Sequence, residues 1–311
     1  MPHVKIKQID CHYIEPRLCA AWIVKTEKSV AIIETGTRNS VPYILDSLAE
    51  ENIAPESVDI IIITHVHLDH AGGAAELLKY CKNATLLCHP RCAHHLSHPS
   101  RLVAAVKSVY GERDYQALYG DIEPLEKHRI HRLQEEPFAI KDLTFDIIYT
   151  EGHASHHLSI YEPETKTVFT GDAFGVAYPF LQVPENPFII PATTPTEFYP
   201  EKMRTSIQKI QNTGAKKAML THYGPWGNIQ DGADQLNLAL NEIEKIIAEG
   251  RSLSPDDYFE HVRQRFSCFI YKQIEKRQIQ LKENEKRILE FDLKMNAMGI
   301  SHSMKKEHKP H

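Results

Sequence analysis

The sequence predicts an α/β protein of packed layers, sheets inside and helices outside, followed by a helical extension. Three observations carry this. Short apolar, β-branched runs recur in both halves of the chain, each accompanied by segments of helical character. The most apolar of these runs, Val58 to Ile63, ends directly in a segment crowded with histidine. From Ile229 the texture becomes mostly helical, and Leu253 to Met298 is rich in Lys, Glu and Arg.

In chain order, strands are expected at Val4 to Asp10, Ala20 to Lys25 and Val30 to Glu34, then a turn at Gly36 and a helix over Val41 to Glu50. The buried strand ending at Thr64 leads through the His-rich loop into a helix over Ala71 to Tyr80. A strand at Ala84 to Cys88 precedes helical sequence through Leu118. The second half repeats the style, with strands at Leu143 to Tyr149, His157 to Tyr161, Thr167 to Thr170 and Lys217 to Leu220, and a helix over Glu201 to Gln211.

Between Gly175 and Pro200, six prolines (Pro179, Pro184, Pro187, Pro191, Pro195 and Pro200) interleave with Tyr178, Phe180, Phe188, Phe198 and Tyr199, which excludes a regular helix or central strand. This segment suits a substrate-facing loop and a structural wrap equally well. In the tail, Phe266, Ile270, Ile274, Leu281 and Ile288 form an imperfect apolar stripe, with Ile279 and Leu289 off its seven-residue line. The stripe suits a packing or dimer face better than a cofactor box, which leaves a homodimer through the C-terminal helices open. The division expected is 1–250 for the main domain and 251–311 for the extension, with polar Ser301 to His311 frayed.

At 311 residues the chain has room for one large domain or a domain with an appendage, and 42% hydrophobic with 25% charged residues describes an ordinary globular protein. A formal net charge of −5 speaks against a generic nucleic-acid binder, and no apolar run approaches membrane-spanning length. A small-molecule substrate is the expected partner. The N-terminus alternates like a strand and lacks the apolar core of a secretion signal. The six cysteines, Cys11, Cys19, Cys81, Cys88, Cys92 and Cys268, are irregularly spaced, so reduced thiols in a cytoplasmic protein are expected. Cys88 and Cys92 beside His89, His94, His95 and His98 hint at a second metal site, but no second close ligand pair completes a zinc pattern. The His89 to His98 cluster reads as surface.

Thr64-His65-Val66-His67-Leu68-Asp69-His70-Ala71-Gly72-Gly73 holds four metal-ligand candidates in six residues. Three imidazoles and a carboxylate crowded on one strand-to-helix loop are hard to satisfy without a cation, and this donor set suits zinc, iron or a similar metal. A polar loop that gathers histidines by chance is the weaker reading. Gly72 and Gly73 fit either a close approach of the helix start or a plain turn. A hydrolytic dinuclear site needs more donors. Three later candidates each follow an expected strand: His153 in Gly152-His153-Ala154-Ser155-His156-His157, Asp172 in Thr170-Gly171-Asp172, and His222 in Leu220-Thr221-His222. Each is weak alone; in this order after His65-x-His67-x-Asp69-His70 they are strong. His156 and His157 read as supporting groups more than as ligands.

Over about Ile6 to Gly224 the sequence resembles the metallo-β-lactamase-fold hydrolases, whose pattern is an H-x-H-x-D-H loop, a Gly-His, a Gly-Asp and a final His. The resemblance implies a four-layer αβ/βα sandwich. It implies that His65, His67 and His153 hold one divalent metal, that Asp69, His70 and His222 hold a second, and that Asp172 bridges them. The pair would be zinc first, with iron or manganese as alternatives. The stretch from Gly152 to His157 and the Thr193-Thr194-Pro195 element look most like poorly characterised single-domain hydrolases of this fold, related to glyoxalase II and lactonase types.

The chemistry implied is attack by a metal-bridged hydroxide on an ester, thioester or lactone-type bond, with Asp69 and His70 as the catalytic residues. The helices after Gly250 carry no motif that marks a glutathione pocket. Lactonase relatives place a tyrosine three residues after the bridging acid, where this chain has Gly175, so Tyr178 or Tyr223 could substitute only if the fold turns one inward. β-Lactam hydrolysis is disfavoured by the missing secretion signal and by Asp172 itself. Processing nucleases of this fold carry additions absent here. A metal-binding regulator or sensor with little hydrolysis, or a phosphodiesterase, stands as the alternative. Redox relatives replace the second histidine of the opening motif with an acid, whereas His67 is present.

Overall fold

The computed structural model describes residues 3–193 and 197–307. Of the expected elements, Thr194-Pro195 and residues 308–311 lie outside the described residues. Among the described residues, twelve strands form two six-stranded sheets. The first contains β1 (Lys5–Asp10), β2 (Ala20–Lys25), β3 (Val30–Ile33), β4 (Ile60–Ile62), β5 (Thr85–Cys88) and β6 (Ile130–Arg132), in that spatial order. The second contains β7 (Pro137–Ile140), β8 (Leu143–Tyr149), β9 (Leu158–Glu162), β10 (Thr167–Gly171), β11 (Lys217–Leu220) and β12 (Gly224–Trp226), again in spatial sequence. Antiparallel hairpins open each sheet. Parallel pairing follows from β3 to β6 and between β10 and β11, where helices make the crossovers.

The helices are α1 (Val41–Glu50), α2 (Leu68–Ala71), α3 (Ala74–Tyr80), α4 (Cys92–Ser97), α5 (Ser100–Tyr110), α6 (Glu112–Tyr119), α7 (Pro200–Asn212), α8 (Ile229–Gly250), α9 (Pro255–Lys276) and α10 (Glu283–Glu307). Strand alternation sorts side chains between the layers. Ile60 and Ile62 face the second sheet with Trp22, Phe145 and Phe169, whereas Ile61 and Ile63 face α1 and α3 through Ile44, Leu48 and Leu77. The outer face of the second sheet is covered by α7 to α10. The result is the four-layer sandwich expected.

Several boundaries differ from the sequence expectation. The helix expected over Ala71 to Tyr80 begins at Leu68 and is broken at Gly72-Gly73, so Asp69 and His70 sit in a helical turn rather than in loop. The short strands β6, β7 and β12 carry too little periodic sequence to announce themselves. The helical run to Leu118 is three helices, broken at Pro99 and Gly111. The tail stripe turns inward. Phe266, Ile270, Ile274 and Ile279 are buried against α8, and Leu289, off the seven-residue line, is fully buried with Leu293, Ala297 and Ile300. The tail helices therefore share one core with the second sheet. α9 starts where Ser254 caps the amide of Asp257 and Pro255 takes the first helical position.

At one end of the sandwich the sheets touch through backbone. Ala20 N–H donates to Thr221 O at 2.8 Å, and Leu158 N–H donates to Thr64 O at 2.9 Å. The parallel strands β3, β4, β10 and β11 all end at this seam, so polar residues just past their apolar runs converge there.

Candidate metal centre

The seam brings the seven expected donors together. Among the described residues three donor groups converge: His65, His67 and His153; His65, His70 and Asp172; and Asp69, His70 and His222, the donor atoms of each lying within 4.8 Å of one another. His67 Nδ1 lies 2.8 Å from His65 Nε2 and 3.0 Å from His153 Nε2. His222 Nε2 lies 3.3 Å from His70 Nε2 and 3.4 Å from Asp69 Oδ2. Asp172 stands between the groups, with Oδ2 3.4 Å from His153 Nε2 and Oδ1 3.2 Å from His70 Nε2 and 3.5 Å from His222 Nε2. The first sheet supplies residues 65 to 70, and the second supplies His153, Asp172 and His222.

The far nitrogens of four of these five imidazoles are occupied. His153 Nδ1 pairs with Ala192 O at 3.0 Å, His222 Nδ1 with Leu18 O at 2.7 Å, His65 Nδ1 with Thr64 Oγ1 at 3.0 Å, and His70 Nδ1 with Glu34 Oε1 at 3.0 Å. Such pairing fixes the tautomer that leaves the inward nitrogen a free donor atom.

Glu34 is a site residue that sequence reasoning missed, having read it only as the last residue of a strand. It is fully buried at the end of β3, with φ of 66°. Besides His70 it accepts from Thr64 Oγ1, from Thr64 N–H at 3.5 Å and from Thr221 Oγ1 at 3.5 Å. One carboxylate thus ties β3, β4 and β11 together beneath the histidines. An acid directly after an apolar strand, the position His153, Asp172 and His222 share, was the available signal. Gly73 is required by close approach, since a Cβ there would lie 2.4 Å from Thr35 O. That decides for close approach over a plain turn.

Burial drives the His65, His67 and His153 imidazoles below their ordinary range, neighbouring histidines adding to it for the first two, so they are neutral and ready to donate. Burial opposes charge at His70 and His222 as well, but the carboxylates of Asp172 and Asp69, joined at His70 by Glu34, prevail and raise both. Burial likewise opposes ionisation of Asp69 and Asp172. His70 and its neighbours overcome it, holding Asp69 at about 2 and Asp172 well below the usual carboxylate range. A cation held by this nest would have to displace the protons on His70 and His222.

The remaining histidines divide. His157, fully buried, takes Thr150 Oγ1 on Nδ1 at 2.8 Å and accepts Asp172 N–H on Nε2 at 3.2 Å, which makes it a positioning group for Asp172. His156 lines the cavity above the donors with its Nδ1 buried and unpartnered. The surface reading of the His89 to His98 cluster is corrected in part. His94 and His98 are exposed, but His89 is buried against Tyr149 and His95 faces the cavity, because α4 packs that side of the cluster inward. All six cysteines are free thiols, and Cys92 Sγ donates to His156 O at 3.3 Å. Neither Cys88 nor Cys92 joins a donor group among the described residues.

Above the donors opens a cavity of about 740 Å³. His67, Asp69, His153, Asp172 and His222 form its floor, and α5 and α10 form walls. The described part of the proline-rich segment contributes both to the cavity lining and to the core. Val176, Tyr178 and Ala192 line the cavity, and Leu181, Phe188 and Ile190 are core. Tyr178 is the tyrosine turned inward, its hydroxyl 3.4 Å from Asp292 Oδ1 on α10, whereas Tyr223 lies under the Arg17 guanidinium. Burial pushes the Asp292 carboxyl up to about 7, against the pull of His222 and Tyr178. Asn296 fastens α10 to the wall, accepting Thr193 N–H at 2.9 Å, next to the Ala192 carbonyl that holds His153. No helix among the described residues is long and apolar enough to cross a membrane.

A sequence model of the metallo-beta-lactamase superfamily matches residues 14–222. A metallo-beta-lactamase fold-containing protein of Sulfurisphaera tokodaii is 28% identical over 63% of this chain and 69% of its own. A hydroxyacylglutathione hydrolase of Legionella pneumophila is 29% identical over 36% of this chain and 32% of its own. Further curated relatives are matched over 32% to 60% of their own length, less than two thirds. The crystal structure of an archaeal metallo-beta-lactamase superfamily protein from Sulfolobus tokodaii superposes with a TM-score of 0.67 at 22% identity, covering 95% of this chain and 97% of that one, which shows a shared fold.

Proposed function

Because the chain belongs to the metallo-beta-lactamase superfamily, we propose that it is a dinuclear metal-dependent hydrolase that cleaves an ester, thioester or lactone-type bond. The observation that carries this reading is the donor set itself. Inward-facing nitrogens 2.8 and 3.0 Å apart are spaced as neighbouring ligands of one ion, whose metal–nitrogen bonds run about 2.0–2.1 Å. Asp172 Oδ1, buried and without a hydrogen bond, is an orphaned acceptor that a cation would satisfy. His65, His67 and His153 would hold one divalent ion, Asp69, His70 and His222 the other, and Asp172 both. Zinc suits these donors first, with iron or manganese as alternatives.

Two such ions supply Lewis acidity that makes water nucleophilic near neutral pH. The chain does the rest. Asp69, ionised and on the cavity floor, accepts a hydrogen bond from the attacking water and aims it. His70, gripped by Glu34, keeps its inward nitrogen in register with Asp172. Tyr178 presents a phenol that stays protonated, since burial and Asp292 raise it well above its ordinary value, and its proton, directed at Asp292 Oδ1 at 3.4 Å, would turn from that carboxylate to developing negative charge on the substrate. α10 and the proline-rich wrap limit water over the bond being cleaved.

The name of the Legionella relative describes acyl hydrolysis, and it supports an acyl substrate. A homodimer through the stripe of the C-terminal helices is not part of this reading, because Phe266, Ile270 and Ile274 of that stripe are buried within the chain and Ile288 lines the cavity. The test is metal analysis of purified protein with hydrolysis of a panel of esters, thioesters and lactones. About two metals per chain are expected, with loss of at least one in Asp172→Ala and loss of hydrolysis in His67→Ala. Protein purified without chelators that holds no metal, or a His67→Ala variant as active as the parent, refutes it.

A further inference from the structure

The two helical walls of the cavity present apolar side chains to it beyond those that the core buries. α10 carries one stripe, Leu289, Leu293, Ala297 and Ile300, that is buried in the core. It carries a second, Ile288, Phe291 and Met295, at the same helical spacing but facing the cavity. No residue of α5 is fully buried; Leu102 and Val106, half-buried against the first core, and Val109 form a stripe that also faces the same space. Of the eight large hydrophobics exposed among the described residues, three (Ile14 at 45%, Val109 at 37% and Phe291 at 41%) stand around this one cavity. Scattered apolar side chains on a surface need no explanation; a set gathered on two facing helices above a polar floor does.

The other wall is polar and internally connected. Arg91 Nη1 donates to Ser155 O at 3.1 Å, Ser155 N–H donates to Glu197 Oε2 at 3.1 Å, and the rings of His95 and His156 lie 5.9 Å apart. A substrate whose reacting carbonyl rests on the floor must therefore send an apolar arm between α5 and α10 and a polar arm the other way. Groups that carry acyl units through water are polar, so the apolar arm is the acyl group. About 740 Å³ lies within the roughly 300–1,000 Å³ typical of sites that enclose a whole small ligand.

Resting on the hydrolase reading above, we infer that the substrate is an ester or thioester with a long apolar acyl chain, seated between α5 and α10, and a polar leaving group. Each methylene taken from water in this cleft gains about 3- to 4-fold in affinity. The experiment uses the full-length, metal-loaded protein. It measures kcat/KM for p-nitrophenyl esters of two to twelve acyl carbons, and for acetate esters of alcohols with the same chains. Binding of decanoate is measured separately by calorimetry, in loaded and unloaded protein.

The expected result is a rise of about 3-fold per methylene from four to eight acyl carbons, carried by KM, with no such gradient when the chain is in the alcohol. In the double variant V109S/F291S, whose sites are partly exposed and outside the core, the acyl gradient flattens. Decanoate binding falls at least about 10-fold in the same variant. A flat acyl gradient in an active parent, a gradient in the alcohol series instead, or decanoate affinity equal in parent and variant overturns the inference. If no ester is cleaved at all, the hydrolase reading fails while decanoate binding still decides this one.

Discussion

Glu34→Gln removes a charge and almost no volume from beneath the metal ligands, so its effect isolates what the carboxylate does. Glu34 Oε1 accepts from His70 Nδ1 at 3.0 Å and from Thr64 Oγ1, while Oε2 faces Thr64 N–H at 3.5 Å. An amide offers one oxygen only. With that oxygen toward His70, the NH2 meets the Thr64 amide; with the amide flipped, it meets the proton on His70 Nδ1. Hydrogen bonds to a charged partner contribute about 1.5–3 kcal/mol against about 0.5–1.5 for neutral ones, so losing the charge on two short bonds costs about 2–3 kcal/mol. Loss of an outer partner of a metal-bound histidine lowers metal affinity by about 10–100-fold. Two assays read these numbers: denaturant unfolding of the metal-free protein, and competition for zinc against a chromophoric chelator. Glu123→Gln, which removes an exposed acid paired with Lys79, is the control and should change neither. If Glu34→Gln matches that control in both assays, Glu34 does not organise the site.

Other outcomes follow from specific contacts. Asp292, raised to about 7 mainly by burial, binds its proton more tightly folded than unfolded. Its contribution to stability is full below about 4 and is lost as pH rises through about 7. Unfolding of wild type and Asp292→Asn at pH 5 and pH 8 should show the variant gaining about 1–2 kcal/mol on wild type at the higher pH, and equal pH dependence contradicts this. Gly171→Ala places a Cβ 2.5 Å from Thr64 Oγ1 and 2.6 Å from His157 Nε2 at a φ of +49°. It should cost about 2–4 kcal/mol in denaturant unfolding and weaken metal binding by displacing Asp172. Ending the chain at Lys282 removes α10, which supplies no donor. Metal content should be retained by elemental analysis while the melting temperature falls, and loss of metal would show that α10 holds the site directly.

The donors could be read in the sequence because His65, His153, Asp172 and His222 each follow an apolar strand by one to four residues, and His67, Asp69 and His70 crowd the same end as His65. That pattern survives without knowledge of packing. Glu34 occupies the same kind of position but stands alone, so nothing in its neighbours raised it above a strand terminus. α10 was opaque for a different reason. It carries two apolar stripes, one for the core and one for the cavity, and their superposition blurs the periodicity that would reveal either. Ile288, placed on the seven-residue line with Ile274 and Leu281, belongs to the cavity stripe. Likewise the single residue His67 separates strand-end loop from helix, too sharp a transition for a pattern read over eleven or more residues.

The seam where Thr64 O receives Leu158 N–H and Thr221 O receives Ala20 N–H is also where the two halves of the chain share their ligands. Neither sheet alone supplies the donors for the proposed pair of ions, so their occupancy would act as a rivet through both. Free energy of binding would then become cohesion between halves, about 2.7 kcal/mol at a free ion concentration a hundredfold above the dissociation constant. On that reading the first half could shift against the second only by releasing the ions, and starvation for metal would loosen the molecule along this same seam.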